Sequence, residues 1–167
     1  MAAVIVKLGD IGAHWTAACK QAVVDLNALF LRKGIAVELA LDGVGPTITV
    51  KTDPGILGSA VHGRSSAETD GSGRLRRAEV RLPVKLTINT PKGVREAGIG
   101  MAEVIAAHEL VHALGHAPHN SHLMAQTLHK VMGDRAAGDK LKAGAIDMPP
   151  LQLADDSVAM LKAICRC

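Results

Sequence analysis

Only two aromatic side chains, Trp15 and Phe30, are available to this chain of 167 residues, and tyrosine is absent. A core must therefore be assembled from Ala, Val, Leu, Ile and Met, and chemistry that needs a phenol is excluded. The material for such a core is present: 48% of the residues are hydrophobic and 21% charged, a balance that disfavours disorder, collagen and fibrous repeats. A domain of this length buries roughly 70% of its unfolded surface, so no disulfide or metal staple is required for folding. Cys19, Cys165 and Cys167 form an odd set without zinc-like spacing. They read neither as a disulfide framework nor as a thiolate site.

Nineteen basic against sixteen acidic residues leave a net charge of +3 and a pI near 8.9, too mild to demand a polyanionic partner. The apolar run Met1 to Val6 is too short for a membrane span or a secretory segment. The expectation is a chain with no membrane partner and no targeting signal, cytoplasmic by default.

Hydrophobic periodicity divides the chain. Ala3 to Leu8 has the β-branched character of a short buried strand. From Ala13 to Lys33, Trp15, Ala18, Ala22, Leu26, Leu29 and Phe30 recur at three- and four-residue intervals before Gly34, which predicts a long amphipathic helix. Ile35 to Leu41 and Thr47 to Thr52 read as strands joined by turn-forming Asp42-Gly43 and Gly45-Pro46. Ile56 to His62 reads as a glycine-containing edge strand, and Gly63 to Gly73 as a polar loop. Ala78, Val80 and Leu82 alternate with Arg77, Glu79 and Arg81, the signature of a half-buried strand whose charges face solvent. With Arg74 and Arg76 that face invites a nucleic-acid reading, but no aromatic is interleaved for base stacking. Leu86 to Asn89, a Pro91-Gly93 turn, a helix over Gly100 to Leu114 and a last helix over Leu153 to Ile164 complete the pattern.

The helix at 100–114 carries His108-Glu109-Leu110-Val111-His112, the H-E-x-x-H arrangement. Residues four apart on a helix differ by about 40° of rotation and about 6 Å of rise, so both imidazoles can reach one ion from one face. Glu109, one step round, can stand beside the ion and take a proton from a water. Imidazole ligands with an open fourth position describe a catalytic zinc site. The bland alternative is a chance match on a salt-bridged helix surface. Gly115, which can turn the chain, and the cluster His116, His119 and His122 weigh against it. A helix running on would set His116 about 12 Å along the axis from His108, too far to share an ion. The third ligand must return after a turn. His119 allows three intervening residues, Pro118 among them, for that reversal where His116 allows none, and His116 and His122 stay as the other candidates; His14, His62 and His129 read as ordinary polar residues.

H-E-L-V-H-A-L-G-H-A-P-H, followed by Ser121-His122-Leu123-Met124, resembles the metzincin superfamily of zinc endopeptidases, nearest in style to matrixins. It departs from their signature by one extra residue between Gly115 and the third histidine. The resemblance implies His108, His112 and His119 as zinc ligands, Glu109 as general base and Met124 as the Met-turn residue. Gly58, Ser59, Ala60 and Val61 are similar to the family's substrate-binding edge strand, and Leu153 to Val158 to the start of its final helix. The implied fold is α+β and metzincin-like: a twisted, mostly parallel five-stranded sheet with an antiparallel edge strand, a long N-terminal helix, a zinc-binding helix and a C-terminal helix. Residues 1–167 would form one catalytic domain, with 1–115 as an upper subdomain and 116–167 as a lower one. The implied activity is endopeptidase hydrolysis through a metal-activated water, with a peptide or protein substrate and a pocket shaped partly by residues 125–147.

Two other readings compete. A metal-dependent endoribonuclease of the rRNA-maturation type has a similar three-histidine motif, but carries glycine where this chain has Glu109. A non-catalytic domain could retain zinc for folding, although a structural site gains nothing from a base. Nucleic acid is therefore not the expected partner.

Overall fold

The computed structural model describes residues 2–58, 61–90, 93–126 and 150–164. Four strands of the main sheet come from the segments whose apolar residues alternate or cluster: β1 (Ala2–Leu8), β2 (Val37–Ala40), β3 (Thr47–Asp53) and β5 (Leu75–Pro83). The fifth is β4 (Arg64–Thr69). The order is β2-β1-β3-β5-β4, with β1, β2, β3 and β5 parallel and β4 antiparallel to β5. A separate hairpin pairs β6 (Thr87–Thr90) with β7 (Gly93–Glu96). Among the described residues there are three helices: α1 (Gly12–Lys33), α2 (Ile99–Ala113) and α3 (Asp155–Ile164). The chain is thus α+β, with a mostly parallel mixed sheet of five strands.

The α1 stripe is buried as its spacing predicts, from Trp15 through Phe30. Two polar contacts fix its placement. The Trp15 indole N–H donates to Pro83 O at the end of β5 (2.7 Å). The Asn27 amide clasps β2, donating to Leu39 O and accepting from Leu39 N–H, both at 2.8 Å. That clasp satisfies main-chain groups of a strand that, among the described residues, has no strand neighbour on that side. Cys19 lies inside the same stripe, and burial pushes its thiol up to about 12.

Helix α2 is buried on nearly all sides, as an apolar helix must be, and packs against α1, β4 and β5. Its buried residues join those of α1 and of β1, β3 and β5 in one core that also takes in Leu123, Met124 and Leu161. The alternation in β5 holds: Ala78, Val80 and Leu82 face inward. The charges opposite them pair with one another, Arg77 with Glu68 (2.8 Å), Arg81 with Glu79 (2.5 Å) and Asp53 (3.5 Å), and Lys51 with Glu79 (2.5 Å). Lys51, Arg77 and Arg81 are thereby neutralised on the solvated outer face of the sheet.

One element lies elsewhere than the sequence suggested. The edge strand is β4, inside the segment expected to be a polar loop, and not Ile56–His62. Ile56 is buried, Gly58 and Val61 are in no strand, and the Val61 N–H closes a turn onto Leu57 O (3.1 Å). Ser59 and Ala60 lie outside the described residues, as do the expected turn residues Pro91 and Lys92. The physical reason is that β4 is exposed along nearly its whole length. It is held by main-chain hydrogen bonds to β5 rather than by an apolar face, so it leaves no period-2 signal.

Candidate metal centre

His108 and His112 are one helical turn apart on α2, as the spacing requires. Beyond the helix, Gly115 adopts φ +105°, a left-handed conformation that side chains with a Cβ rarely take. Its N–H caps His112 O (2.9 Å) and the chain reverses. That reversal brings His119 back over α2. One ring nitrogen from each of His108, His112 and His119 lies within 4.8 Å of the other two. His112 Nε2 stands 3.0 Å from His108 Nε2 and 3.2 Å from His119 Nε2.

The other ring nitrogens decide the tautomers. His108 Nδ1 faces Leu123 O at 2.6 Å and His112 Nδ1 faces His116 O at 2.5 Å. A carbonyl only accepts, so each Nδ1 carries the proton and donates it. Both Nε2 lone pairs are then left pointing at one another, an arrangement that is repulsive by itself and is relieved by a cation between them. Burial pushes the His108 imidazole down to about 4 and also lowers His112, so both rings are neutral at pH 7, the state in which imidazole binds a metal. The donor set fits a divalent ion of the imidazole-preferring kind, zinc among them, which His108, His112 and His119 would hold. The backbone acceptors behind the rings fix their orientation, as partners of metal-binding histidines do.

The remaining histidines take other parts. His116 is fully buried, and its Nε2 shares a 2.9 Å hydrogen bond with Ser157 Oγ on α3. Asn120 donates to the same oxygen (2.7 Å) and to Asp156 Oδ1 (2.8 Å). His116 is thus turned inward, where it ties the reversal to α3. His122 is exposed, has φ +53° and bridges to Leu153. It is not among the converging rings. His14 is exposed, His62 is half-buried, and His129 lies outside the described residues.

Met124 is completely buried in a tight turn closed by Asn120 N–H to Met124 O (2.9 Å) and Ala125 N–H to His122 O (3.1 Å). Leu123 N–H donates to Gln152 O (3.0 Å), which holds the turn against the segment before α3. The turn therefore presents Leu123 O to His108. Of the expected pocket wall at 125–147, only Ala125 and Gln126 are among the described residues.

Glu109 is 7% exposed. Burial pushes its carboxyl up to about 7, opposed by a hydrogen bond from the Ser65 side chain. It faces β4 across a groove of about 640 Å³ that is lined by Gly63 to Ala67 and Thr69 on one side. Glu109, His112, Gly115, Ala117 and His119 line the other. Gly63 and Ser65, which bracket Glu109, carried no signal in the sequence, because they sit in a stretch whose composition is that of a loop. Gly58 and Val61, expected on the substrate edge, do not line this groove. No protein-family model matches the chain, and no curated protein matches it significantly. Among the described residues no helix is long and apolar enough to cross a membrane.

Proposed function

We propose that this protein is a zinc-dependent endopeptidase of metzincin-like design. The observation that carries the reading is the juxtaposition of three converging imidazole nitrogens, two of them on α2, with a buried carboxylate on that same helix, where Glu109, His112 and His119 line one groove. His108, His112 and His119 would hold the ion. The chemistry a zinc ion supplies in such a cage is Lewis acidity toward a water and toward a peptide carbonyl. Glu109, held in a low-dielectric seat, takes a proton from the attacking water and returns it to the departing amide nitrogen. Its raised proton affinity suits both halves of that exchange near neutral pH. Strand β4, which is last in the sheet and unpaired on its outer side among the described residues, offers main-chain groups to an extended peptide. Pairing of Arg77 and Arg81 with acids of the same sheet weakens the nucleic-acid alternative.

The test is digestion of a diverse peptide mixture by zinc-loaded wild type and Glu109→Ala, read by mass spectrometry. Cuts by wild type that fall by about 10²- to 10⁴-fold in the variant are expected. Unchanged hydrolysis by Glu109→Ala removes the general base from the scheme, and cleavage of structured RNA without peptide cleavage replaces the reading.

A further inference from the structure

Arg64 opens β4 and lines the groove next to Gly63, which touches Glu109. It is exposed, and among the described residues its guanidinium has no carboxylate within ion-pair reach. The contrast with its neighbours is sharp, since Lys51, Arg77 and Arg81 are each matched to an acid of the same sheet. Its partner across the β4–β5 ladder is Arg81, a like charge already engaged by Glu79 and Asp53. Like charges directly opposite in an antiparallel pair are destabilising, and an anion arriving at Arg64 relieves that cost. The groove offers no acid except Glu109. Pairing with Arg81 sets the Arg64 side chain on the solvent-facing side of β4, opposite to Ser65 and Glu109, so at the rim of the groove it is the one cation of the lining, and an extended peptide added along β4 would carry every second side chain past it.

We propose that Arg64 is a specificity-determining residue that selects extended peptides carrying an aspartate or glutamate close to the scissile bond. This inference rests on the endopeptidase reading for its substrate class. A phosphodiester is the other anion a lone arginine can hold. Nucleic acid, however, is tracked by rows of cations with stacking aromatics, and the described lining of this groove has one arginine and no Phe, Tyr or Trp.

The experiment pairs cleavage with binding. Fluorescein-labelled decapeptides that differ only in one Asp, Asn or Lys near the centre are offered to zinc-loaded wild type and, for binding by fluorescence polarisation, to Glu109→Gln. The Asp peptide is expected to be bound and cut roughly fivefold better than its Asn counterpart, as one solvent-accessible ion pair allows, with the ratio shrinking in high salt. The ratio should survive Arg64→Lys, vanish in Arg64→Gln and turn toward the Lys peptide in Arg64→Glu. Equal handling of Asp and Asn peptides, or a preference that persists in Arg64→Gln, overturns the inference while leaving the endopeptidase reading intact. Arg64-dependent binding of the Asp peptide to Glu109→Gln without cleavage by wild type supports the subsite and overturns the protease. Failure to bind any peptide, or Arg64-dependent binding of a labelled RNA oligonucleotide in its place, overturns the inference together with that reading.

Discussion

A methyl group built on Gly63 would stand 2.7 Å from Glu109 Cγ and 2.8 Å from its Cδ and Oε1. Side chains do not approach so closely, so the carboxylate occupies the space that a Cβ at position 63 would fill. The seat is completed by the Ser65 hydroxyl two residues on. Glu109 is thus positioned from the opposite strand as well as from its own helix.

Gly63→Ala should therefore act on Glu109 without touching the imidazoles. Zinc stoichiometry and affinity are expected to stay at wild-type levels, while turnover falls by about 10²-fold, the usual consequence of misplacing a reacting group by about 1 Å. Side-by-side chelator titration and peptide kinetics check it. A variant with full activity would show that the seat has no bearing on the carboxylate.

His116 and His119 should separate cleanly. His119 is exposed and presents its nitrogen to the cluster, so His119→Ala is expected to weaken zinc binding by at least about 10²-fold, beyond the loss typical of a supporting partner. Stability of the metal-free protein should move by no more than about 0.5 kcal/mol. His116 is buried against Ser157, so His116→Ala should cost about 1–3 kcal/mol of folding stability, because the buried Ser157 loses a partner. Denaturant titrations alongside competitive metal binding decide between them, and the opposite pattern would move the third ligand to His116.

The contact between α1 and α2 predicts a pH dependence that has nothing to do with metal. Burial, then the hydrogen bond that protonated Glu103 donates to the Asp25 carboxylate, and the Asp25 charge itself, push the Glu103 carboxyl up to about 8 from an ordinary value of 4.5. Between those values the folded chain binds more protons than the unfolded one. The associated stability is complete below about pH 4.5 and is lost as pH rises toward 8. Glu103→Gln should flatten that limb and stabilise the protein at pH 8 by on the order of 1 kcal/mol, since the pair is only partly shielded from solvent. Urea unfolding at pH 5, 6.5 and 8, followed by emission of the buried Trp15, measures it. Parallel profiles for wild type and variant would mean that Glu103 is already ionised in the fold.

Much of this molecule is written in short-range periodicity. The stripe from Trp15 to Phe30, the alternation at Ala78, Val80 and Leu82, and the four-residue spacing of His108 and His112 depend only on how a helix or strand repeats. They therefore appear in the structure where the residues place them, with ends shifted by a residue or two. The three competing histidines after Gly115 were a different matter. Each is polar, each lies in a loop, and the sequence could rank them only by the room available for a reversal. The structure separates them because His116 has a partner in Ser157, forty-one residues away, which draws its ring inward and lets its carbonyl meet His112.

What the amino-acid order determined by itself was the elements with a buried face, the pair of imidazoles on one helix and the carboxylate beside them. Tertiary structure alone decided where the edge strand lies, because β4 is held by main-chain pairing to β5 and needs no apolar pattern of its own. It also decided the company of each charged group. Asp25 meets Glu103, Glu79 meets Lys51 and Arg81, and Gly63 meets Glu109 across separations that no local rule reaches. Arg64 is left without an acid for the same reason. Electrostatics and desolvation depend on distance in space, and distance in space is fixed only when the helices and strands have packed.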